Sequence, residues 1–157
     1  MNAWIELCPS EQRIVKWIAA NRSLANRNGN VSNGRIGPQS DEVTDLNGFG
    51  AELAFCKIFN CYPDFSISTR SGSSDCELRG ETVDVKTTTY ASGKLLAVIG
   101  KRELASDFYA LMICDFPKFR FCGFAHKSEL LAEGKLTDLG HGPTYAMAQD
   151  ELRECPF

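Results

Sequence analysis

The chain has 157 residues, 43% of them hydrophobic, and a formal net charge of −3. That length suits one domain with a single core, and the charge balance excludes a protein coated in positive charge. No stretch approaches the ~18 consecutive apolar residues of a membrane span, and MNAWIELCPSEQRIVKW lacks a basic-then-apolar export signal, so the expected location is the cytoplasm.

In chain order, EQRIVKWIAA over 11–20 places Ile14, Val15, Trp17 and Ile18 at helical spacing, with Ser10 after Pro9 as N-cap. Asn26 to Ser40 is rich in Asn, Gly and Ser and is expected to be a loop. From Gln12 to Ser40 there is no acid, while Arg13, Lys16, Arg22, Arg27 and Arg35 give a local charge of +5. Such a segment suits a phosphate backbone, although a solvated helix face and polar loop would have the same composition.

A second helix is expected from Ser40 to about Phe59, with Asp41 and Glu42 favourably placed in its first turn. Asp45, Phe49, Glu52, Cys56 and Phe59 fall in one stripe of it, so Glu52 projects along the apolar side. A carboxylate there demands a partner, because acids are seldom buried unpaired. Gly48 and Gly50 suggest close backbone packing or an irregular helix start.

Beyond Pro63 the period changes to two. Strands are expected around Phe65, Ile67 and Thr69, from Asp75 to Arg79 and from Glu81 to Tyr90, with Leu95 to Ile99 a fourth strand or a continuation of the third. A short helix over Lys101 to Asp107 precedes two strongly apolar strands, FYALMICDF and FRFCGFA, joined around Pro117 and Lys118. A helical turn at Ser128 to Leu131, a Gly-rich loop, a strand at Thr144 to Met147 and a turn at Gln149 to Arg153 complete a mixed α/β chain with one sheet. The seven cysteines include no CxxC pair and lie mostly among apolar neighbours, so they read as reduced core thiols rather than disulfides or a structural zinc site. His126 and His141 are isolated and do not suggest metal ligation.

Chemistry concentrates in SSDCELRGETVDVKTTT, 73–89. With Arg79-Gly80 as a two-residue hairpin loop, Asp75 lies across from Asp84, and Lys86 projects on the same face. With Gly80-Glu81 as the loop, Asp75 would instead face Lys86; a three-residue loop would separate the group. Cys76, Leu78, Val83 and Val85 take the opposite, core-facing side. Two adjacent carboxylates repel unless a cation is present. Lys86 alone could neutralise them in a surface salt bridge. If Glu52 reaches the same place, the oxygen donors suit a hard divalent cation.

These residues resemble the PD-(D/E)XK nuclease superfamily, whose pattern is a helical Glu, an Asp opening a hairpin, and (D/E)-x-K on the next strand. Here those are GFGAE (Glu52), SSD (Asp75) and DVK (Asp84, Val85, Lys86). ASDFYALMICDFPKFRFCGFAHKSELL and TYAMAQDELR resemble the segments that follow in small members, so the similarity covers about 45–153. Ser74 replaces the name-giving proline, and Asp84 stands where many members have Glu.

The resemblance implies a restriction-endonuclease-like core, a mixed β-sheet flanked by helices. It makes 1–157 a single domain with a helical and loop extension at 1–40 and the catalytic core at 41–157. It further implies a Mg²⁺- or Mn²⁺-dependent phosphodiesterase acting on DNA, an endonuclease by preference, with RNA left open as a substrate. Asp75, Asp84 and the Val85 carbonyl would hold the ion, Glu52 would join directly or through water, and Lys86 would orient the nucleophile. Lys16, Arg22, Arg27 and Arg35 are candidate backbone contacts, and Lys101 is a weaker one. A homodimer or an accessory protein is a further expected partner, and a non-cleaving nucleic-acid- or protein-binding module on the same scaffold is the alternative.

Overall fold

A computed structural model of the chain describes residues 3–30, 39–67, 74–100 and 105–154. After strand β1 (Trp4–Glu6), helix α1 covers Pro9–Asn28. Its N-cap is Cys8 rather than Ser10: Pro9 supplies a preset φ at the first helical position, and Glu11 Oε2 accepts from the Cys8 N–H at 2.7 Å. The helix continues past Ala20 and takes in Asn26–Asn28, which were expected to be loop. Ser23 and Asn26 are buried and extend the inward stripe of Val15, Ile18 and Ala19. Polar residues at inward positions conceal that extension from a hydrophobic pattern. Ile14 and Trp17 face outward.

Helix α2 covers Asp41–Phe59 and starts as expected, with the Ser40 hydroxyl accepting from the Val43 N–H at 3.3 Å. It ends at Asn60, whose left-handed conformation (φ 53°, ψ 47°) turns the chain back and lets the Cys61 N–H reach the Cys56 carbonyl at 3.0 Å. The packing expected of the two glycines belongs to Gly50 alone. A Cβ there would lie 2.6 Å from Phe119 Cζ, whereas one at Gly48 would meet nothing within 4 Å.

Strands β2 (Cys76–Leu78), β3 (Glu81–Thr88), β5 (Phe108–Asp115) and β6 (Lys118–His126) join β1 in a mixed sheet of order β1-β6-β5-β3-β2. Only the β3–β5 pair is parallel. Strand β5 is buried on both faces, as its unbroken apolar run requires. Phe108, Ala110, Met112 and Cys114 join the core beneath α1 and α2, while Tyr109 and Leu111 enter a second core on the other side. That second core is closed by a separate antiparallel sheet, β4 (Leu95–Val98), β8 (Pro143–Met147) and β7 (Leu136–Asp138), together with the short helix α3 (Lys127–Leu130).

The single expected sheet is therefore two. The chain turns after β3, where the Gly93 N–H bonds to the Tyr90 carbonyl and the Gln149 side-chain amide holds the carbonyls of Ala91 and Gly93. This directs β4 onto β8. The strand expected at Phe65 and Ile67 is also absent from the described residues; Thr69 lies outside them. The Phe65 ring instead packs edge-on against Phe49 and Tyr62, and the carbonyls of Asp64 and Ser66 accept from the Arg22 guanidinium rather than a neighbouring strand.

Residues 105–107 are not helical, and 101–104 of that expected helix lie outside the described residues. Asp107 accepts from the Thr82 N–H and hydroxyl and from Lys127 Nζ, fixing the start of β5 beside β3. No helix among the described residues is long and apolar enough to cross a membrane.

Candidate functional site

The β2–β3 hairpin turns through Arg79 and Gly80, with φ of 54° and 87°, the two successive positive values of a two-residue loop that matches strand twist. Pairing runs Cys76 with Val83, Glu77 with Thr82 and Leu78 with Glu81, the first of the two registers considered. Leu78, Val83 and Val85 are buried in the core under α2, with Cys76 packed against it, and this sends Asp84 and Lys86 to the other face of β3.

Asp75 lies just outside β2, and there the ladder changes. Its N–H bonds to the Val83 carbonyl at 3.0 Å, and its Oδ2 accepts from the Val85 N–H at 2.7 Å. The carboxylate thus occupies the position that the next backbone group of β2 would take. A strand residue's N–H and C=O leave on the same edge, so the Val85 carbonyl lies on the edge that Asp75 occupies. Because β2 ends at Cys76, no strand among the described residues pairs with that edge of β3 from there onward. Groups from both sides of the sheet can meet around that edge.

Glu52 approaches from α2. Its side chain is only 12% exposed, and its Oε2 lies 3.0 Å from the Nη1 of Arg22, itself 20% exposed. Arg22 was expected to contact nucleic acid, but the fold commits it internally. Besides Glu52 it donates to the carbonyls of Asp64 and Ser66, and its guanidinium lies 4.6 Å from the centroid of the Phe49 ring.

Burial raises the Glu52 pKa from 4.5 to about 7, against the charge and hydrogen bond of Arg22, with Asp84 and Asp64 adding to the rise. Asp75 is raised well above its ordinary value, first by burial and then by the charges of Glu52 and Asp84; Lys86 and the Val85 N–H only partly offset this. Burial disfavours the charged form of Lys86, yet Asp84, Asp75 and Tyr109 outweigh it and leave its pKa raised. Lys86 Nζ lies 2.6 Å from Asp84 Oδ1. Three carboxylates and one ammonium therefore share one electrostatic neighbourhood, and burial, reinforced by the neighbouring acids, makes Glu52 and Asp75 resist ionising.

The donors are of the type a hard divalent ion takes, but the Glu52, Asp75 and Asp84 oxygens do not all lie within 4.8 Å of one another in this fold. The set consists of carboxylate oxygens and a strand-edge carbonyl, and one Asp75 oxygen is held by a backbone N–H that fixes its orientation. Glu52, Asp75, Asp84 and the Val85 carbonyl are the groups that would hold it.

The other expected residues are dispersed. Lys16 is exposed on α1, 5.9 Å from the Phe116 ring centroid, and Arg27 is exposed with Glu42 at 3.4 Å. Arg35 and Lys101 lie outside the described residues. Two features of the cluster escaped sequence reasoning, the pairing of Arg22 with Glu52 and the presence of Tyr109. Arg22 is thirty positions from Glu52, and Tyr109 lies beside Asp84 through a parallel pairing with no local signature. The burial that raises the Tyr109 pKa is reinforced by the Asp84 charge. Compared with known protein families, curated proteins and solved structures, the chain finds no match in any of the three.

Proposed function

We propose that the chain is a divalent-metal-dependent nuclease of the PD-(D/E)XK type on a restriction-endonuclease-like core, hydrolysing phosphodiester bonds in DNA as an endonuclease. The observation that carries this reading is the electrostatic coupling of Glu52, Asp75 and Asp84 beside β3, with Lys86 paired to Asp84. A bound Mg²⁺ or Mn²⁺ would acidify a water molecule and offset negative charge on the scissile phosphate.

The chain's own groups supply the rest. Asp75 and Asp84 are held by a hairpin whose turn and pairing fix their separation, and Glu52 by a capped helix, so the donors are preorganised. Lys86, drawn toward Asp84, is positioned to orient the attacking water and stabilise the extra charge on the phosphate oxygens. Lys16 and Arg27, exposed along α1, are the proposed backbone contacts, with Arg35 and Lys101 as further candidates.

The internal pairs Arg22–Glu52 and Lys86–Asp84 are the specific support for the competing reading, a non-cleaving binding module whose acids are neutralised within the fold. Incubation with single-stranded, duplex, branched and RNA substrates in Mg²⁺ and in Mn²⁺ separates the two. The nuclease reading expects metal-dependent cleavage of a DNA substrate that Lys86→Ala abolishes while the far-ultraviolet spectrum stays unchanged. Absence of cleavage with every substrate and both metals overturns it.

A further inference from the structure

Next to the carboxylates lies a second cluster of different chemistry. The Sγ atoms of Cys56, Cys61 and Cys76 all fall within 4.8 Å of one another. From the sequence each reads as an independent core thiol, and nothing in their spacing suggests otherwise. The fold brings them together in two steps. The left-handed residue Asn60 reverses the chain after α2 and carries Cys61 back over Cys56, and the hairpin delivers Cys76 at the first position of β2.

We infer that Cys56, Cys61 and Cys76 form a trithiolate site for a soft d¹⁰ cation, Zn²⁺ or Cu⁺, separate from the carboxylate centre. Thiolate is the preferred donor for such ions. A Zn–S bond of about 2.3 Å in tetrahedral geometry places sulfurs roughly 3.8 Å apart, so side-chain adjustments of about an ångström would close the site on an ion. Cys56 is buried and supplies a fixed ligand, while Cys61 is half-buried and leaves an approach from solvent. Three protein ligands leave a fourth position open on Zn²⁺, whereas Cu⁺ would be satisfied by three sulfurs alone. An ion there would tie the end of α2 to the start of β2, one residue from Asp75.

The test uses the full chain kept reduced with a phosphine. Cd²⁺ is titrated while the ultraviolet thiolate-to-cadmium charge-transfer band is followed, which carboxylates cannot produce. Zn²⁺ and Cu⁺ are then titrated separately against chromogenic chelators to tell the two natural ions apart. The expected result is a band that saturates at one Cd²⁺ per chain, with affinity lowered at least about tenfold by Cys61→Ser or Cys76→Ser and unchanged by Cys122→Ser or Asp84→Asn. In the wild-type protein, which needs no variant to fold, Zn²⁺ or Cu⁺ should slow alkylation of Cys61 and Cys76 but not of exposed Cys8.

No band, a band that survives Cys61→Ser at full affinity, or alkylation of Cys61 and Cys76 indifferent to both ions overturns the inference. A protein that cleaves DNA but shows no band removes this site and leaves the nuclease reading standing. A band without cleavage does the reverse.

Discussion

Replacing Glu52 by Gln removes the charge at the most tightly enclosed carboxylate of the cluster while keeping its shape. Glu52 has its pKa raised from 4.5 to about 7 in the folded chain, chiefly by burial. A carboxyl group raised in this way contributes its full stability below its unfolded pKa and loses it as pH rises through the folded value. The wild-type protein without metal should therefore lose about 3 kcal/mol of stability from this group between about pH 4 and pH 8. Glutamine resembles the protonated acid and can still accept from Arg22, so it escapes that loss.

The variant should match the wild type near pH 4 and exceed it by up to about 3 kcal/mol near pH 8, measured by urea unfolding in EDTA. Saturating Mg²⁺ or Mn²⁺ should offset that advantage at high pH by stabilising the wild type more than the variant, which lacks the Glu52 carboxylate, because a ligand selective for the native state adds stability by mass action. A Glu52→Gln variant less stable than the wild type at both pH values, or a difference independent of pH, would refute the electrostatic account of the site.

Three further outcomes follow from the packing. Arg22→Met strands Glu52 and the carbonyls of Asp64 and Ser66 in a largely enclosed setting, and should cost about 3–5 kcal/mol in urea unfolding, more at pH 8 than at pH 5. Gly50→Ala drives a methyl toward the fully buried Phe119 ring and should cost about 1–3 kcal/mol, whereas Gly48→Ala, with open space around it, should gain up to about 1 kcal/mol in calorimetry. Thr87 Oγ1 is buried without a hydrogen-bond partner among the described residues, so Thr87→Val should raise stability by about 1 kcal/mol in the same assay.

The parts legible in the sequence are those set by local physics. The turn residues Arg79 and Gly80 and the period-two pattern around them narrowed the hairpin to a few registers, of which the fold adopts the one with Arg79-Gly80 as the loop. Ser40 and the first-turn acids marked the start of α2, and a carboxylate in its apolar stripe signalled that Glu52 needed a partner. What stayed hidden depends on distant pairing. Positive charge along α1 suggested an outward face, yet Arg22 turns inward because Glu52, Phe49 and two carbonyls surround it. The three-residue strands β1 and β7 exist through their partners β6 and β8, and β4 leaves the main sheet because of the turn after β3. The cysteine convergence needed both the reversal at Asn60 and the position of β2, and neither leaves a spacing motif.

The most direct test of the nuclease proposal is the conversion of supercoiled plasmid to open-circular and linear forms across a Mn²⁺ titration, comparing the wild type with Asp84→Asn. The account predicts nicking by the wild type that rises with Mn²⁺ and is abolished by EDTA, and at least about a hundredfold loss in the variant. Equal rates for the two proteins, or no nicking by the wild type at any Mn²⁺ concentration, would contradict it.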